Sequence, residues 1–394
     1  MRVHVVDPSA YTPPYDHALC RALGAAGAGV TLYTSRFAYG SVPAAEDYER
    51  REHFYRLAHR AAAEGPSSRA RRALKLAEHV PDMLRYRREA QTADVAHFQW
   101  LTAQPLDVHL LPRRTVRPPA PGGDPRHGAA PGRTAAGGPA LVLTAHDILP
   151  REPRPGQLAA QRRLYGHFDA IVVHSERGRG RLLEELGVDP TKVHSIPHGA
   201  LTHLAELPVG PPPHEAPGLV VLCFGLMRPY KGIDVLLEAW RGLGGAAPGP
   251  ELWIAGMPRM DISALRAAAP ANVRFDARFI PDAELPAYFA RADLLVLPYL
   301  QADQSGVLFT ALAFGKPLLL SDVGGFPEIA RTGAARAVPA GDSEALAEAL
   351  RELLADPTAR AEMAARARAA AAGPYSWQQV ARAHLRLYEG LLES

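Results

Sequence analysis

Arg228 and Lys231 stand three residues apart in Phe224-Gly225-Leu226-Met227-Arg228-Pro229-Tyr230-Lys231-Gly232, a glycine-bounded turn after an apolar run. A guanidinium forks two donors onto phosphate oxygens and an ammonium adds a compact charge, so the pair suits a diphosphate. Farther on, Asp303-Gln304-Ser305-Gly306-Val307 precedes a helical segment running through Phe314. There Ser305 and Gly306 would present backbone N–H groups at a helix N-terminus, and glycine lets an anion come close. Gly324-Gly325 permits a further tight bend before Glu328. An Asp-x-Asp pair, which commonly holds the cation on a diphosphate, is absent. Fixed protein cations are therefore expected to carry the charge, with no metal and no other cofactor.

Such residues need strand ends to stand on. Short aliphatic or β-branched runs recur with helix-length spacers, the pattern of βαβ units and a mostly parallel sheet. In the first half the expected strands lie near Val3–Val6, Thr31–Tyr33, Val95–Phe98, Leu141–Thr144, Ile171–Val173 and Val193–Ile196. In the second they lie near Val220–Phe224, Leu252–Ala255, Val273–Phe275, Leu294–Leu297, Leu318–Leu320 and Ala335–Val338. The fold class is α/β, with two similar halves. The proline-rich run Leu207 to Pro217 separates them, because proline cannot continue a helix or a central strand. This divides the chain into a first domain over 1–206, a hinge over 207–217, a second domain over 218–374 and a final helix over 375–394. The stretch Pro112 to Pro139, crowded with Pro, Gly and Arg and lacking an apolar period, reads as a mobile insertion in the first domain.

The 394 residues suffice for two ordinary cores. A net charge of +3 with 22% charged residues gives no global reason for a nucleic-acid partner. Cys20 and Cys223, far apart, argue against a disulfide framework and fit a reducing cytoplasm. No signal peptide is visible, and the apolar runs are far shorter than the roughly 20 residues that span a bilayer. Arg50 to Glu89 carries arginine-rich amphipathic patterns, among them Arg69 to Leu76, which suit either a solvated face or peripheral contact with an anionic membrane. His194, His198 and His203 do not make a zinc pattern, since Pro197 interrupts them and no His-Glu-x-x-His occurs.

The three segments of the second half, in this order, resemble family-4 glycosyltransferases of the GT-B fold, in which two Rossmann-like doubly wound domains face a cleft. The resemblance implies transfer of a sugar from a nucleoside-diphosphate donor to an acceptor hydroxyl, retention at the anomeric carbon, and no metal. It implies donor contacts from Gly225, Arg228, Lys231, Phe279, Ile280, Asp303, Gln304, Ser305, Gly306, Val307 and Thr310. It implies a catalytic face formed by His146, Arg228, Lys231 and Asp303, with His146 at a strand end in Thr144-Ala145-His146-Asp147-Ile148. Family members usually carry two glutamates eight positions apart where this chain has Asp303 and Thr310. A branch with Gln-Ser-Gly-Val and Thr at these places shares the departure. Relatives also often have a glycine-rich loop after the first strand. Here Pro13 and Pro14 take its place, so the acceptor side is expected to use Tyr15, Asp16 and His17, with His97, Phe98, Gln99 and Trp100 at the end of another strand. The resemblance also brings the last helix back onto the first domain. The acceptor, a saccharide, a lipid-linked saccharide or a natural product, is left open. So are a nucleotide-sugar epimerase of the same fold and a non-catalytic nucleotide-sugar-binding protein.

Overall fold

The computed structural model describes residues 1–40, 42–63, 68–112, 115–116, 136–149, 156–243 and 249–393. Most of the expected insertion falls outside these residues, as do the side chains of Arg69 to Arg72. The ends of the insertion, Thr115–Val116 and Ala136–Gly137, pair antiparallel.

Two parallel sheets form the molecule. In the first, β1 (Arg2–Asp7), β2 (Gly29–Thr34), β3 (Glu49–Glu52), β4 (Val95–Phe98), β5 (Ala140–Thr144), β6 (Ala170–Val173) and β7 (Val193–Ser195) lie in the order β3-β2-β1-β4-β5-β6-β7. In the second, β8 (Val220–Phe224), β9 (Glu251–Ala255), β10 (Val273–Asp276), β11 (Leu294–Leu297), β12 (Leu318–Ser321) and β13 (Ala335–Val338) lie in the order β10-β9-β8-β11-β12-β13. In each sheet the order reverses beside the first strand of the domain, which is where open α/β sheets leave a crevice at the carboxyl ends.

Central strands are apolar on both faces because helices cover both, and their side chains alternate between two cores. In the first domain Val3, Val5, Val95, Val142 and Val172 face one layer, while Val6, Phe98, Leu141, Leu143 and Ile171 face the other. The first layer holds helix Pro13–Ala25 together with helix Trp377–Glu393, which returns from beyond the second domain and buries Val380, Ala381 and Tyr388 there. Trp377 fits against Gly199, where an added Cβ would lie 2.4 Å from the indole.

This alternation also decides the fate of His97. It shares the parity of Val95 on β4, so its ring points to the returning helix. Its Nδ1 lies 2.6 Å from the Tyr388 hydroxyl and its Nε2 2.7 Å from Thr144 Oγ1, with no exposed surface. The expectation that His97 lines an acceptor cleft is therefore wrong, and Phe98 is core as well. Tyr388→Phe should leave the buried imidazole without one partner, a loss of about 1–3 kcal/mol. Urea unfolding of the two proteins, compared at equal m-values, measures it.

Candidate active site

Arg228 ends the extended segment after β8, and Pro229–Lys231 forms one 3-10 turn closed by Gly232. Gly232 has φ 64°, and a Cβ there would lie 2.0 Å from the Pro298 carbonyl oxygen, so the turn can tuck under the end of β11 only as glycine. This leaves Arg228 exposed at the sheet's carboxyl edge. Lys231 is half-buried, with Nζ 3.5 Å from the centroid of the Tyr299 ring. The Tyr299 hydroxyl in turn lies 3.1 Å from Ser305 Oγ. Gly225, at φ 114°, brings its backbone to Val307, whose Cγ2 would be 3.1 Å from an added Cβ. Gly225, Lys231, Ser305 and Val307 are thus drawn together around the start of helix Gly306–Ala313.

A cavity of about 540 Å³ lies between the domains. The first domain contributes Tyr11, Gln99, Trp100, Thr144, His146, Asp147, Gln161 and Tyr165, and the second Leu226, Arg228 and Tyr230. His146 stacks on Trp100, with ring centroids 5.0 Å apart and planes 13° apart. Its Nε2 lies 3.1 Å from Gln99 Oε1 and its Nδ1 3.3 Å from His174 Nε2. Burial, together with the nearby His174, His198 and His97, holds the His146 pKa well below the ordinary imidazole value, so the ring is neutral at pH 7. Burial likewise brings His174 down to about 4.

Asp303 lies outside this cavity. Its Oδ2 accepts the Ile148 amide at 2.9 Å and its Oδ1 the Arg181 guanidinium at 2.5 Å, both from the first domain. Gln304 Nε2 donates to the His174 carbonyl oxygen at 3.3 Å, and Glu328 accepts the Arg177 amide at 3.3 Å. Asp303 and Gln304 therefore join the domains. The Thr310 hydroxyl is buried and donates to the Gly306 carbonyl oxygen at 2.9 Å, a bond within its own helix. Ile280 belongs to the second core. Phe279 rests on Tyr39 of the first domain, with centroids 5.8 Å apart.

Tyr15, Asp16 and His17 depart furthest from expectation. They form the first turns of helix Pro13–Ala25 and are buried, so none of them lines the cavity. Tyr15 packs edge-on to His146 and His198, and His17 Nδ1 lies 3.0 Å from the Tyr48 hydroxyl. The reason is Asp7 at the end of β1. Its carboxylate accepts the amides of Ser9, Tyr11 and Thr12 at 3.2, 2.6 and 3.2 Å, which folds the loop inward. Residues that sequence reasoning passed over do reach the site. Tyr11, Tyr165 and Tyr230 line the cavity, and Arg181 and His174 act from helix Glu176–Leu186 and the end of β6. Only their spacing from strand ends could have signalled them.

Two comparisons bear on the sequence as a whole. Residues 218–356 match the model "Glycosyl transferases group 1" and residues 123–203 the model "Glycosyltransferase Family 4". The chain has the GT-B fold and resembles glycosyltransferase family 4. It is 34% identical over 231 residues to the phosphatidyl-myo-inositol mannosyltransferase of Mycobacterium leprae, covering 57% of this chain and 59% of that protein. It is 30% identical over 287 residues to the D-inositol 3-phosphate glycosyltransferase of Nocardia farcinica, covering 64% and 60%. The chain thus spans about 60% of the length of these curated relatives. The fold matches sucrose-phosphate synthase from Thermosynechococcus elongatus with a TM-score of 0.70 at 19% identity, over 99% of both chains.

Asp7 and Asp16 form a pair beside this site. Both carboxyls are buried, and burial beside the Asp7 charge raises the Asp16 pKa well above its ordinary value. Burial raises the Asp7 pKa too, but the Asp16 hydrogen bond and the three amides offset part of this, so the charge stays on Asp7 and Asp16 carries the proton that joins them. A raised folded-state pKa means stability present below the unfolded value and lost as pH climbs toward the folded one. Asp16→Asn removes that loss. It should match the parent near pH 4 and exceed it increasingly toward pH 8, as read from urea midpoints at each pH.

Proposed function

We propose that the chain transfers a sugar from a nucleoside-diphosphate donor to an acceptor hydroxyl, with retention at the anomeric carbon and without a metal in the step. The observation that carries this reading is that His146 of one domain and Arg228 of the other line the same cavity. Departure of the nucleotide leaves new negative charge on phosphate oxygens. Arg228 supplies a two-pronged donor at the sheet edge. Lys231 adds a second cation beside the start of helix Gly306–Ala313, whose dipole favours the same charge. Across the cavity, neutral His146 and the Gln99 amide offer polar contacts to the sugar hydroxyls, and Trp100, Tyr11 and Tyr165 offer flat apolar surface. Asp303, committed to Arg181 and Ile148, acts in this scheme by holding the domains in reach of each other. Thr310 supports the helix from which the phosphate contact is made.

Arg228→Ala and Lys231→Ala should each lower turnover at saturating donor by about 100- to 1,000-fold, or roughly 2.7–4 kcal/mol, the scale for removing a donor to developing charge. Product formation by each variant, with circular dichroism as the check on folding, measures this. Near-parental turnover in either would remove that residue from the leaving-group role. A control with donor alone separates transfer from isomerisation of the sugar.

The acceptor in this reading is lipid-linked. Helix Ser68–Glu89 exposes Leu76 at 58%, Val80 at 36% and Leu84 at 41%, four residues apart along one side, with Arg88 continuing the row. Lys75 of the same helix sets its Nζ 5.9 Å from the centroid of the Tyr11 ring, and Tyr11 lines the cavity. The start of the row at Leu76 therefore follows directly on a residue that reaches the edge of the cavity. The names of the relatives, which act on phosphatidylinositol and inositol phosphate, favour a phosphate-bearing polyol head. No helix among the described residues is long and apolar enough to cross a membrane. Sedimentation with phosphatidylglycerol vesicles should be strong at low salt, weak at high salt, and reduced by Leu76→Glu with Leu84→Glu. No sedimentation at low salt would favour an acceptor in solution, and equal binding by parent and double variant would remove the apolar row from the contact.

A further inference from the structure

Two imidazole rings, a side-chain amide and a backbone carbonyl beside the cavity form one continuous chain of hydrogen bonds, and its polarity follows by elimination. His174 sits at the end of β6 with the parity of Ala170 and Val172, so its ring faces the layer that holds Tyr15. Its Nδ1 lies 3.0 Å from the Ile196 carbonyl oxygen. A carbonyl only accepts, so Nδ1 carries the hydrogen. His174 is neutral, which leaves Nε2 as a bare lone pair. That lone pair faces His146 Nδ1 at 3.3 Å, so His146 Nδ1 must be the donor. His146, also neutral, is then left with a lone pair on Nε2, the nitrogen that faces Gln99 and the cavity.

The Gln99 amide accommodates this polarity once its oxygen and nitrogen are exchanged. Its Oε1 lies 3.1 Å from His146 Nε2, lone pair against lone pair, while its own Nε2 is buried without a hydrogen-bond partner. Exchanging the oxygen and nitrogen of that amide, which fill the same envelope, turns the contact into an N–H donated to His146. The surroundings support the same assignment. His198 donates its own Nδ1 hydrogen to the Gly199 carbonyl oxygen at 2.7 Å and stacks on Phe309, so it does not compete for His174. Tyr15 packs against both rings, edge-on to His146 and tilted by 55° to His174.

We infer that His174 is a positioning residue which relays the polarity of the Ile196 carbonyl to His146 and fixes His146 in its Nδ1–H form. The cavity-side nitrogen of His146 is therefore an acceptor. It takes a hydrogen bond from a sugar hydroxyl in exchange for that of Gln99, and it cannot donate to a sugar ring or glycosidic oxygen. This selects ligands by hydroxyl hydrogens at that point. The inference about ligands rests on the proposed transfer reaction; the tautomer itself does not.

The test is nitrogen NMR on protein labelled with 15N-histidine, in the full chain at pH 7 and without substrate. The His146 ring should show a protonated Nδ1 and an unprotonated Nε2. His174→Phe removes the acceptor and should shift His146 toward the Nε2–H form, whereas His174→Gln, which places an amide oxygen where Nε2 was, should restore the parental pattern. Finding the parental His146 as Nε2–H or as imidazolium overturns the relay whatever the variants do, so failure of a variant to fold does not shield it. Once a donor and acceptor pair is known, kcat/KM should fall about tenfold in His174→Phe and recover in His174→Gln. A changed tautomer with unchanged kcat/KM would overturn the positioning role. A protein inactive toward every donor would count against the transfer reaction and leave the NMR result to stand on its own.

Discussion

The carboxylate of Asp303 sits at the join between the domains, and the site exists only while that join is made. Asp303 is 7% exposed and bonded from the first domain on both oxygens, by a guanidinium and by a backbone amide. A buried charge of this kind costs several kcal/mol if one partner is withdrawn, so the arrangement resists partial opening. The weaker contacts of Gln304 and Glu328 lie on the same side and close with it. Arg228 and His146 belong to different sheets, and nothing within either domain alone brings them to one cavity. Where the resembling family puts a carboxylate near the donor sugar, this chain uses the shorter one as a latch between domains.

Asp7 makes a second substitution of the same kind. A glycine-rich loop after the first strand would offer its amides to a ligand. Here three amides in that loop are already taken by the Asp7 side chain, and the prolines that follow start a helix at once. The wall that the first domain gives the cavity is therefore rich in aromatic and amide side chains, Tyr11, Trp100, Gln99 and Tyr165. Flat rings bind sugar faces without a charge to place. Specificity then falls to the few directed hydrogen bonds between them.

Much of the architecture was legible because buried parallel strands read as continuous apolar runs. All but one of the strands in the two large sheets were expected from the sequence, the central ones in this way and edge strands such as Val273–Asp276 from their spacing. The exception, Glu49–Glu52, has four charged residues and lies at a sheet edge, where it is held by pairing with β2 and by Arg51 on the Tyr33 hydroxyl. The positions of Arg228, Lys231 and His146 just after strand ends were legible. The misreadings share one cause. Tyr15, Asp16, His17 and His97 were assigned by distance along the chain from a strand end, whereas their directions are set by helix onset and by strand parity. Beyond their spacing from a strand end, local sequence gives no sign of the partners of Arg181 and His174. Arg181 meets Asp303 across 122 residues, and His174 meets His146 across 28, so their roles exist only in the folded chain.

The return of helix Trp377–Glu393 to the first domain sets an order of assembly. The Tyr388 hydroxyl that completes the His97 site is 291 residues away in sequence, and Val380 and Ala381 fill the same layer. On the ribosome the first domain therefore emerges with one face of its sheet covered only in part, by helix Pro13–Ala25, and keeps it so while the whole second domain is made. That open layer, lined by Val5, Leu19, Leu23 and Val142, is an apolar surface for chaperones to hold during synthesis. The finished molecule consequently behaves as one folding unit in which truncation near residue 377 would disable the half of the protein made first.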